Sequence, residues 1–107
     1  MFELETYKCR AGKSIFTEWV SQLRDSHARA RIDVRLNRLA RGLYGDARVV
    51  GEGVMELKID WGPGYRVYFA RDGARVILLL CGGDKRTQQR DISNAIEYWK
   101  DYQARGE

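Results

Sequence analysis

Four polar side chains are spaced along two segments so that they can meet on one face of a sheet. In VMELKID (54–60), Glu56 and Lys58 alternate with apolar residues, which predicts a strand with one core face and one ionic face. In YRVYFAR (65–71), Arg66 and Tyr68 point together, because side chains two apart in a strand share a face. If the apolar residues of both strands pack against helices, the four polar groups must share the other, open face.

Cations beside a carboxylate and a phenol suit the phosphodiester of RNA, which carries its own nucleophile in the ribose 2′-OH. An enzyme then needs to orient that hydroxyl, move its proton, neutralise the phosphorane and protonate the leaving 5′ oxygen. Arg66 and Lys58 are expected to supply the electrostatic part. Glu56 or a deprotonated Lys58 is expected to act as general base, and Tyr68 to orient or donate a proton. The alternative is a set of cross-strand ion pairs on a solvated sheet.

A polar run after the next predicted strand extends this set. The segment VILLLC (76–81) is apolar at every position, as expected for a central strand covered on both faces. We predict that Gly82 and Gly83 end this strand and turn the backbone sharply. The turn would bring Lys85 and Arg86 to the rim of the open face, so both join the candidate catalytic residues. The set has no His and no nucleophilic Ser or Cys, so acyl transfer fits it poorly.

Hydrophobic spacing predicts the elements of the N-terminal half. A half-exposed strand is expected in FELETYKC (2–9), and an amphipathic helix of about ten residues from Lys13. Ser26 is a candidate N-cap for a second helix. The apolar stripe of that helix consists of Ile32, Leu36, Leu39 and Leu43.

The C-terminal half is predicted to form three strands followed by a helix. The dipeptide Asp72-Gly73 is a strong hairpin signal between the second and third of these strands, and apolar spacing predicts a last helix over 88–103. We therefore predict one α+β domain over residues 1–107. Its order is strand-helix-helix-strand-strand-strand-helix, with an antiparallel sheet and the helices packed on one face.

The second helix also carries a basic face. Arg31, Arg35 and Arg38 lie together by helical spacing, in a chain of net charge +4. Arginine is the cation whose planar fork best matches phosphate, so we predict that these three residues bind RNA or the ribosome. The alternatives are an acidic protein segment as partner, or a surface that only maintains solubility.

Composition excludes several classes of protein. Hydrophobic residues make up 44% and charged residues 32% of the chain, which is typical of a folded globule. No apolar run approaches the ~20 residues needed to span a bilayer, and the first residues are acidic where a secretory signal is basic. We expect a cytoplasmic protein without a membrane partner. Cys9 and Cys81 lack metal-site spacing, so reduced thiols and no metal or other cofactor are expected.

Two long stretches, ELKIDWGPGYRVYF and LLLCGGDKRTQQRDI, resemble the RelE/HigB superfamily of bacterial type II toxins. The branch they are most similar to is the addiction-module killer protein, or phage-derived HigB-like toxin. The resemblance implies a RelE-like fold and a metal-independent endoribonuclease that cleaves mRNA on the ribosome and blocks translation. It also implies a helix-turn-helix antitoxin as the cognate partner, with oligomers formed through that antitoxin.

Several site residues carry over from the motifs of this superfamily. The resemblance assigns the basic positions to Lys58, Arg66, Lys85 and Arg86. Some relatives also use a His or Tyr near the C-terminus as an acid or base. Here the only His is His27, which is expected at the surface, and Tyr98 and Tyr102 are the remaining candidates.

Two other functions remain open at this stage. A ParE-like toxin shares the predicted architecture but inhibits gyrase without cleaving RNA. An inactive remnant would bind RNA or an antitoxin without turnover. The basic residues Lys58, Arg66 and Lys85 favour the nuclease over the gyrase inhibitor.

Overall fold

The computed structural model describes residues 1–106, and its elements confirm the predicted α+β class. A short 3₁₀ turn precedes the last helix. In chain order the elements are β1 (Glu3–Thr6), α1 (Ile15–Gln22), α2 (Ser26–Ala40), β2 (Ala47–Gly51), β3 (Val54–Ile59), β4 (Tyr65–Asp72), β5 (Val76–Gly83), the 3₁₀ turn (Lys85–Thr87) and α3 (Gln88–Arg105).

The five strands form one mostly antiparallel sheet in the order β1-β5-β4-β3-β2. Only β1 is parallel to its neighbour, β5. The strand β2 was not predicted, and it adds a hairpin to the expected meander. Its turn consists of Glu52 and Gly53, both with positive φ (49° and 88°). Two central residues with positive φ form the two-residue hairpin turn whose twist matches that of the flanking strands. Glu is rare at such a position, and so the sequence signal for this hairpin was missed.

The helices cover both faces of the sheet, so the prediction of one helix-covered face was wrong. On one face α1 and α2 pack over Leu57, Val67 and Phe69. On the other, α3 packs over Val54 and Leu78. The physical reason lies in β5, where consecutive apolar residues point to opposite faces and each face must be buried. We call the two sides the α1/α2 face and the α3 face.

The ends of α2 differ by a few residues from the prediction. The N-cap is Asp25 rather than Ser26, because its carboxylate accepts hydrogen bonds from the backbone N–H of His27 (2.9 Å) and of Ala28 (3.3 Å). The helix ends at Ala40, which leaves Leu43 exposed outside the apolar stripe.

The two glycines after the apolar run are the last two residues of β5, so the strand ends with them as predicted, but both are still paired in the ladder and the turn begins only after them. Gly82 pairs with Val67 in the ladder. A Cβ at Gly82 would overlap the Trp19 ring on the α1/α2 face, and a Cβ at Gly83 would overlap the Asp91 carboxyl on the α3 face. Glycine is therefore required here for close packing of helices on both sides of the strand.

Candidate functional site

Three rows of paired residues cross the α3 face of the sheet. The apolar row consists of Val54, Ala70 and Leu78; the middle row of Arg48, Glu56, Tyr68 and Cys81; and the cationic row of Lys58, Arg66 and Gly83. Directly paired residues of neighbouring strands point to the same face. The structure therefore brings Glu56, Lys58, Arg66 and Tyr68 together, as strand alternation led us to expect. Arg48 joins them from β2.

Glu56 is the centre of this site. Its side chain is buried, with 3% of the residue exposed. The carboxylate accepts hydrogen bonds from Arg48 Nε (3.0 Å), Tyr68 Oη (3.0 Å) and Gln88 Nε2 (2.8 Å). The Nε atom of Arg66 lies 3.6 Å from the same carboxylate. Three strands and the first residue of α3 are thus tied to one side chain.

These contacts keep Glu56 ionised. Burial acts to raise the pKa of its carboxyl, but the hydrogen bonds from Arg48, Gln88 and Tyr68 outweigh burial and lower the pKa below its ordinary value. A carboxylate whose oxygens already accept three hydrogen bonds is a poor proton acceptor. The geometry therefore suits Glu56 to holding its cationic neighbours in place rather than to general base chemistry.

Tyr68 differs from the expectation of an accessible phenol. It is fully buried, with 0% exposed, and its hydroxyl donates to Glu56. Burial, with the adjacent Glu56 carboxylate, raises the pKa of the Tyr68 hydroxyl well above its ordinary value. A hydroxyl in this position cannot touch a substrate, but it can orient Glu56.

Arg66 is a buried cation with unused hydrogen-bonding capacity. Only 6% of it is exposed. One terminal nitrogen donates to the Gly64 carbonyl at 2.7 Å, which fixes the guanidinium. Its Nε–H is buried without a hydrogen-bond partner among the described residues. The Glu56 carboxylate lies 3.6 Å from this atom, beyond hydrogen-bond distance, so the pair is ionic and the guanidinium adds a fixed positive charge to the site.

A cavity of about 290 Å³ opens beside this guanidinium. Its polar lining combines three cations with two carboxylates and an amide: Arg48, Lys58, Arg66, Asp46, Glu56 and Gln88. Lys58 is exposed, so its ammonium can reach a bound molecule. Because Glu56 is engaged by its donors, the excess of positive charge favours an anion of about the size of a phosphodiester.

Sequence reasoning missed three residues of this cavity, namely Asp46, Arg48 and Gln88. The first two precede or belong to the hairpin strand β2, whose turn signal was weak. A pattern was present in residues 47–51, where Arg48 precedes two valines and a glycine, but five residues give little periodicity. Gln88 begins α3, and its place beside Glu56 follows only from the packing of α3.

The two basic residues after β5 lie near the site but outside the cavity lining. Lys85 is exposed, and its Cβ packs close to Gly64, the residue that accepts from Arg66. Arg86 points to solvent and pairs with Asp84 at 3.2 Å. The structure thus places Lys85 at the rim of the cavity, beside the hydrogen bond between Arg66 and Gly64. Arg86 instead forms an ion pair with its sequence neighbour Asp84.

The basic residues of α2 line a separate groove of about 500 Å³, which we call the α2 groove. Arg31, Arg35 and Arg38 all contribute to it, with Val34, Ile59 and Asp60 among the other lining residues. The Arg31 guanidinium stacks on Trp61, 3.9 Å from the ring centroid. Arg35 donates to the Lys58 carbonyl at 2.7 Å. The groove is larger than the cavity, but it lacks a buried, unsatisfied charge among the residues that the structure describes.

The other acid or base candidates lie elsewhere. His27 is exposed and lines the α2 groove. Tyr98 stacks on Tyr7 with ring centroids 4.9 Å apart. Tyr102 donates to Asp72 at the far end of β4 from Arg66, at 2.6 Å. None of the three contacts the Glu56 cluster among the hydrogen bonds of residues 1–106.

A second buried carboxyl, Asp91, lies over Gly83 at the end of the cationic row. Burial raises the pKa of Asp91, although a hydrogen bond from Thr87 at 2.5 Å opposes the shift. Within residues 1–106, no group of three or more His, Cys, Asp or Glu side chains is arranged to hold a metal ion. Over the same residues, no helix has the length and hydropathy to cross a membrane.

Comparison with known proteins places these features in a family. Residues 18–100 match the family described as phage derived protein Gp49-like (DUF891). An uncharacterized protein from Haemophilus influenzae is 46% identical over 80 residues, which are 75% of this chain and 81% of that relative. The range matched by the family spans β2 to β5 and so includes the whole Glu56 cluster and the cavity. The chain therefore belongs to the phage-derived Gp49-like family, a toxin-like family of toxin–antitoxin systems.

Proposed function

We propose that this protein is a toxin that cleaves mRNA on the ribosome in the cytoplasm, without a metal ion or other cofactor, and so inhibits translation. The observation that carries the proposal is the cationic row. Lys58 and Arg66 are paired across β3 and β4 and line one cavity, where the Arg66 guanidinium is fixed by the Gly64 carbonyl. Membership in a toxin-like family supports the same function.

The proposed reaction is an internal transfer at phosphorus. The ribose 2′ oxygen attacks, the bond from that oxygen to phosphorus forms, and the bond from phosphorus to the 5′ oxygen breaks. The products are a 2′,3′-cyclic phosphate and a free 5′-OH. Arg66 and Arg48 stabilise the negative charge that develops on the non-bridging oxygens of the phosphorane. The exposed Lys58 ammonium adds to this stabilisation, the 2′-OH proton passes to solvent water, and the Lys85 ammonium at the rim supplies a proton to the 5′ oxygen.

Glu56 and Tyr68 act through other residues in this scheme. The Glu56 carboxylate holds Arg48 and Gln88 by hydrogen bonds and lies beside Arg66. Tyr68 orients that carboxylate through the hydrogen bond that its hydroxyl donates to Glu56. Arg86, paired with Asp84, adds positive charge at the rim without contacting the reacting atoms.

The proposed partners are the ribosome with its mRNA and a cognate helix-turn-helix antitoxin, through which oligomers form. The association of the family with toxin–antitoxin systems supports the antitoxin. The arginines of the α2 groove are proposed to contact RNA phosphates, because Arg31, Arg35 and Arg38 line one accessible concavity.

A direct test is to incubate the purified protein with ribosomes and a defined mRNA, and to map new RNA ends by primer extension. The wild-type protein is expected to create new ends that carry a cyclic phosphate. The double variant Lys58→Ala/Arg66→Ala is expected to lose this cleavage. The matched control is Lys100→Ala/Arg75→Ala, which removes the same charges from exposed positions away from the cavity.

The proposal fails if the wild-type protein leaves the mRNA intact, or if the cavity variant cleaves as well as the control variant. DNA damage dependent on gyrase, in place of new RNA ends, would assign the protein to the ParE-like alternative.

A further inference from the structure

The α2 groove and the cavity meet at one residue. The Lys58 side chain lines the cavity on the α3 face, while its backbone carbonyl accepts from Arg35, which lines the α2 groove. The next residue, Ile59, points to the α1/α2 face and lines the groove. The two concavities are therefore adjacent across the end of β3, where one extended chain can pass from one to the other.

Two arginines of the groove are held in fixed orientations before any ligand binds. Arg31 lies flat on the Trp61 ring, and the indole N–H of Trp61 donates to Asp25 at 3.0 Å, which anchors the ring. Arg35 is fixed by its bond to the Lys58 carbonyl. A guanidinium that is already ordered loses less entropy when it contacts a phosphate. This arrangement favours the interpretation that the groove binds a ligand with regularly spaced anions over the interpretation that it only keeps the protein soluble.

The spacing of these cations fits a polynucleotide. At 1.5 Å of helix rise per residue, Arg31 and Arg38 are separated by about 10 Å along α2, enough for successive phosphates of an extended strand. Between them, the side chain of Val34 is about half exposed and gives the groove apolar surface. Ribose carbons and base faces can pack on this surface, as they do in grooves that track a single strand.

We propose that the mRNA strand bound at the cavity continues over Lys58 into the α2 groove, so that the substrate is an extended single strand longer than the cleaved dinucleotide. This inference rests on the proposed function of the cavity. The occupant is the substrate strand itself and not ribosomal RNA, because the groove joins the cavity at Lys58. In the groove lining, three arginines outnumber the single carboxylate, Asp60, which lies beside the crossing at Ile59.

The test measures binding of 2′-O-methyl RNA, which lacks the attacking hydroxyl and stays intact. Oligonucleotides of about three and about nine nucleotides are compared by fluorescence anisotropy at several salt concentrations. For the wild-type protein, the long strand is expected to bind at least about tenfold more tightly than the short one. Arg38→Glu is expected to remove most of this increment and to weaken binding of the short strand much less. The steepness of its salt dependence should decrease by about 0.7 for each phosphate that the variant no longer neutralises.

The matched control is Arg75→Glu, an identical charge change at an exposed position in the β4–β5 turn. Thermal melting of both variants verifies that the fold is retained. Equal affinities for the long and short strands, or equal losses of affinity in Arg38→Glu and Arg75→Glu, would overturn the inference. It is also overturned if Arg38→Glu weakens binding to ribosomes alone, since the groove would then serve ribosomal RNA.

The cavity is tested separately, so that the two failures can be distinguished. Lys58→Ala/Arg66→Ala is expected to weaken binding of both oligonucleotides. If this variant binds the short strand as tightly as the wild type, the proposed function of the cavity fails. If this variant weakens binding of the short strand, but the wild-type protein binds the long strand no more tightly than the short one, only the continuation into the α2 groove is wrong.

Discussion

The two ends of the α3 face differ sharply, although the same three strands build both. At one end the apolar row of Val54, Ala70 and Leu78 is fully covered by α3. At the other end, the first turn of α3 covers only the Gly83 side of the cationic row, through Asp91, and leaves Lys58 exposed. Between them, the middle row buries a carboxylate and a phenol that are hydrogen-bonded to each other.

This difference separates two tasks along a single sheet. The apolar row contributes stability, because its side chains leave water on folding. The cationic row contributes little to the core and keeps two positive charges close together, which is unfavourable without an anion. The middle row lies between the two. There, the Glu56 carboxylate offsets the positive charge of Arg66 and accepts a hydrogen bond from the buried Tyr68 hydroxyl. Three changes, one in each row, test this division.

The largest expected effect is on stability, at the apolar row. Leu78→Ala removes a side chain that is 1% exposed, and should lower the free energy of unfolding by about 2–5 kcal/mol through lost burial and a residual cavity. Urea denaturation measures the change. Val49→Ala, at an exposed position of the edge strand β2, is the control and should cost well under about 1 kcal/mol. A large loss of cleavage by the folded Leu78→Ala protein would contradict the division of tasks.

A change of similar size is expected in activity at the cationic row. Arg66→Lys keeps the charge but cannot reproduce the planar guanidinium, which donates to Gly64 through one nitrogen while it lines the cavity. Cleavage of mRNA on the ribosome should slow by about 10²–10³-fold, the usual effect of removing one oxyanion donor. The rate of formation of new RNA ends measures this. An unchanged rate in Arg66→Lys would show that Arg66 acts only through its charge, and equal slowing in the control Arg75→Lys would show that the effect is not specific to the cavity.

The smallest effect concerns the pH dependence of stability at the middle row. The pKa of Glu56 is lowered in the folded protein, so its stabilising contribution is complete above the ordinary Glu pKa of about 4.3 and is lost as pH falls through the folded value. The difference in unfolding free energy between wild type and Glu56→Gln should therefore shrink between about pH 6 and about pH 3, by about 1.4 kcal/mol for each unit of pKa difference.

Asp91 provides a comparison of opposite sign for this measurement. Burial raises its pKa, so its ionisation destabilises the folded protein as pH rises above the ordinary Asp pKa of about 3.9. The stability of wild type relative to Asp91→Asn should therefore decrease with rising pH, over the window in which the Glu56 contribution increases. Parallel slopes for the two variants would mean that the two buried carboxyls are held in the same ionisation state.

Much of the site could be predicted from alternation along single strands. Glu56 with Lys58, and Arg66 with Tyr68, share a face because side chains two apart point the same way, and the apolar partners between them identified the buried side. The β4–β5 hairpin followed from Asp72-Gly73 for an equally local reason. Arg48 and Gln88 were missed because a short strand and a helix start give weak local signals, and their distance to Glu56 depends on packing.

The amino-acid sequence by itself determined the periodic pattern of each element, and with it which polar residues of β3 and β4 share one face of the sheet. The tertiary structure alone decided that α3 covers the face which was expected to be open. That choice buried Tyr68 and Glu56 and left Lys58 at a cavity mouth. The physical reason is that alternation sets the direction of each side chain, whereas its exposure depends on which helix packs over it, and an apolar strand such as β5 requires cover on both sides.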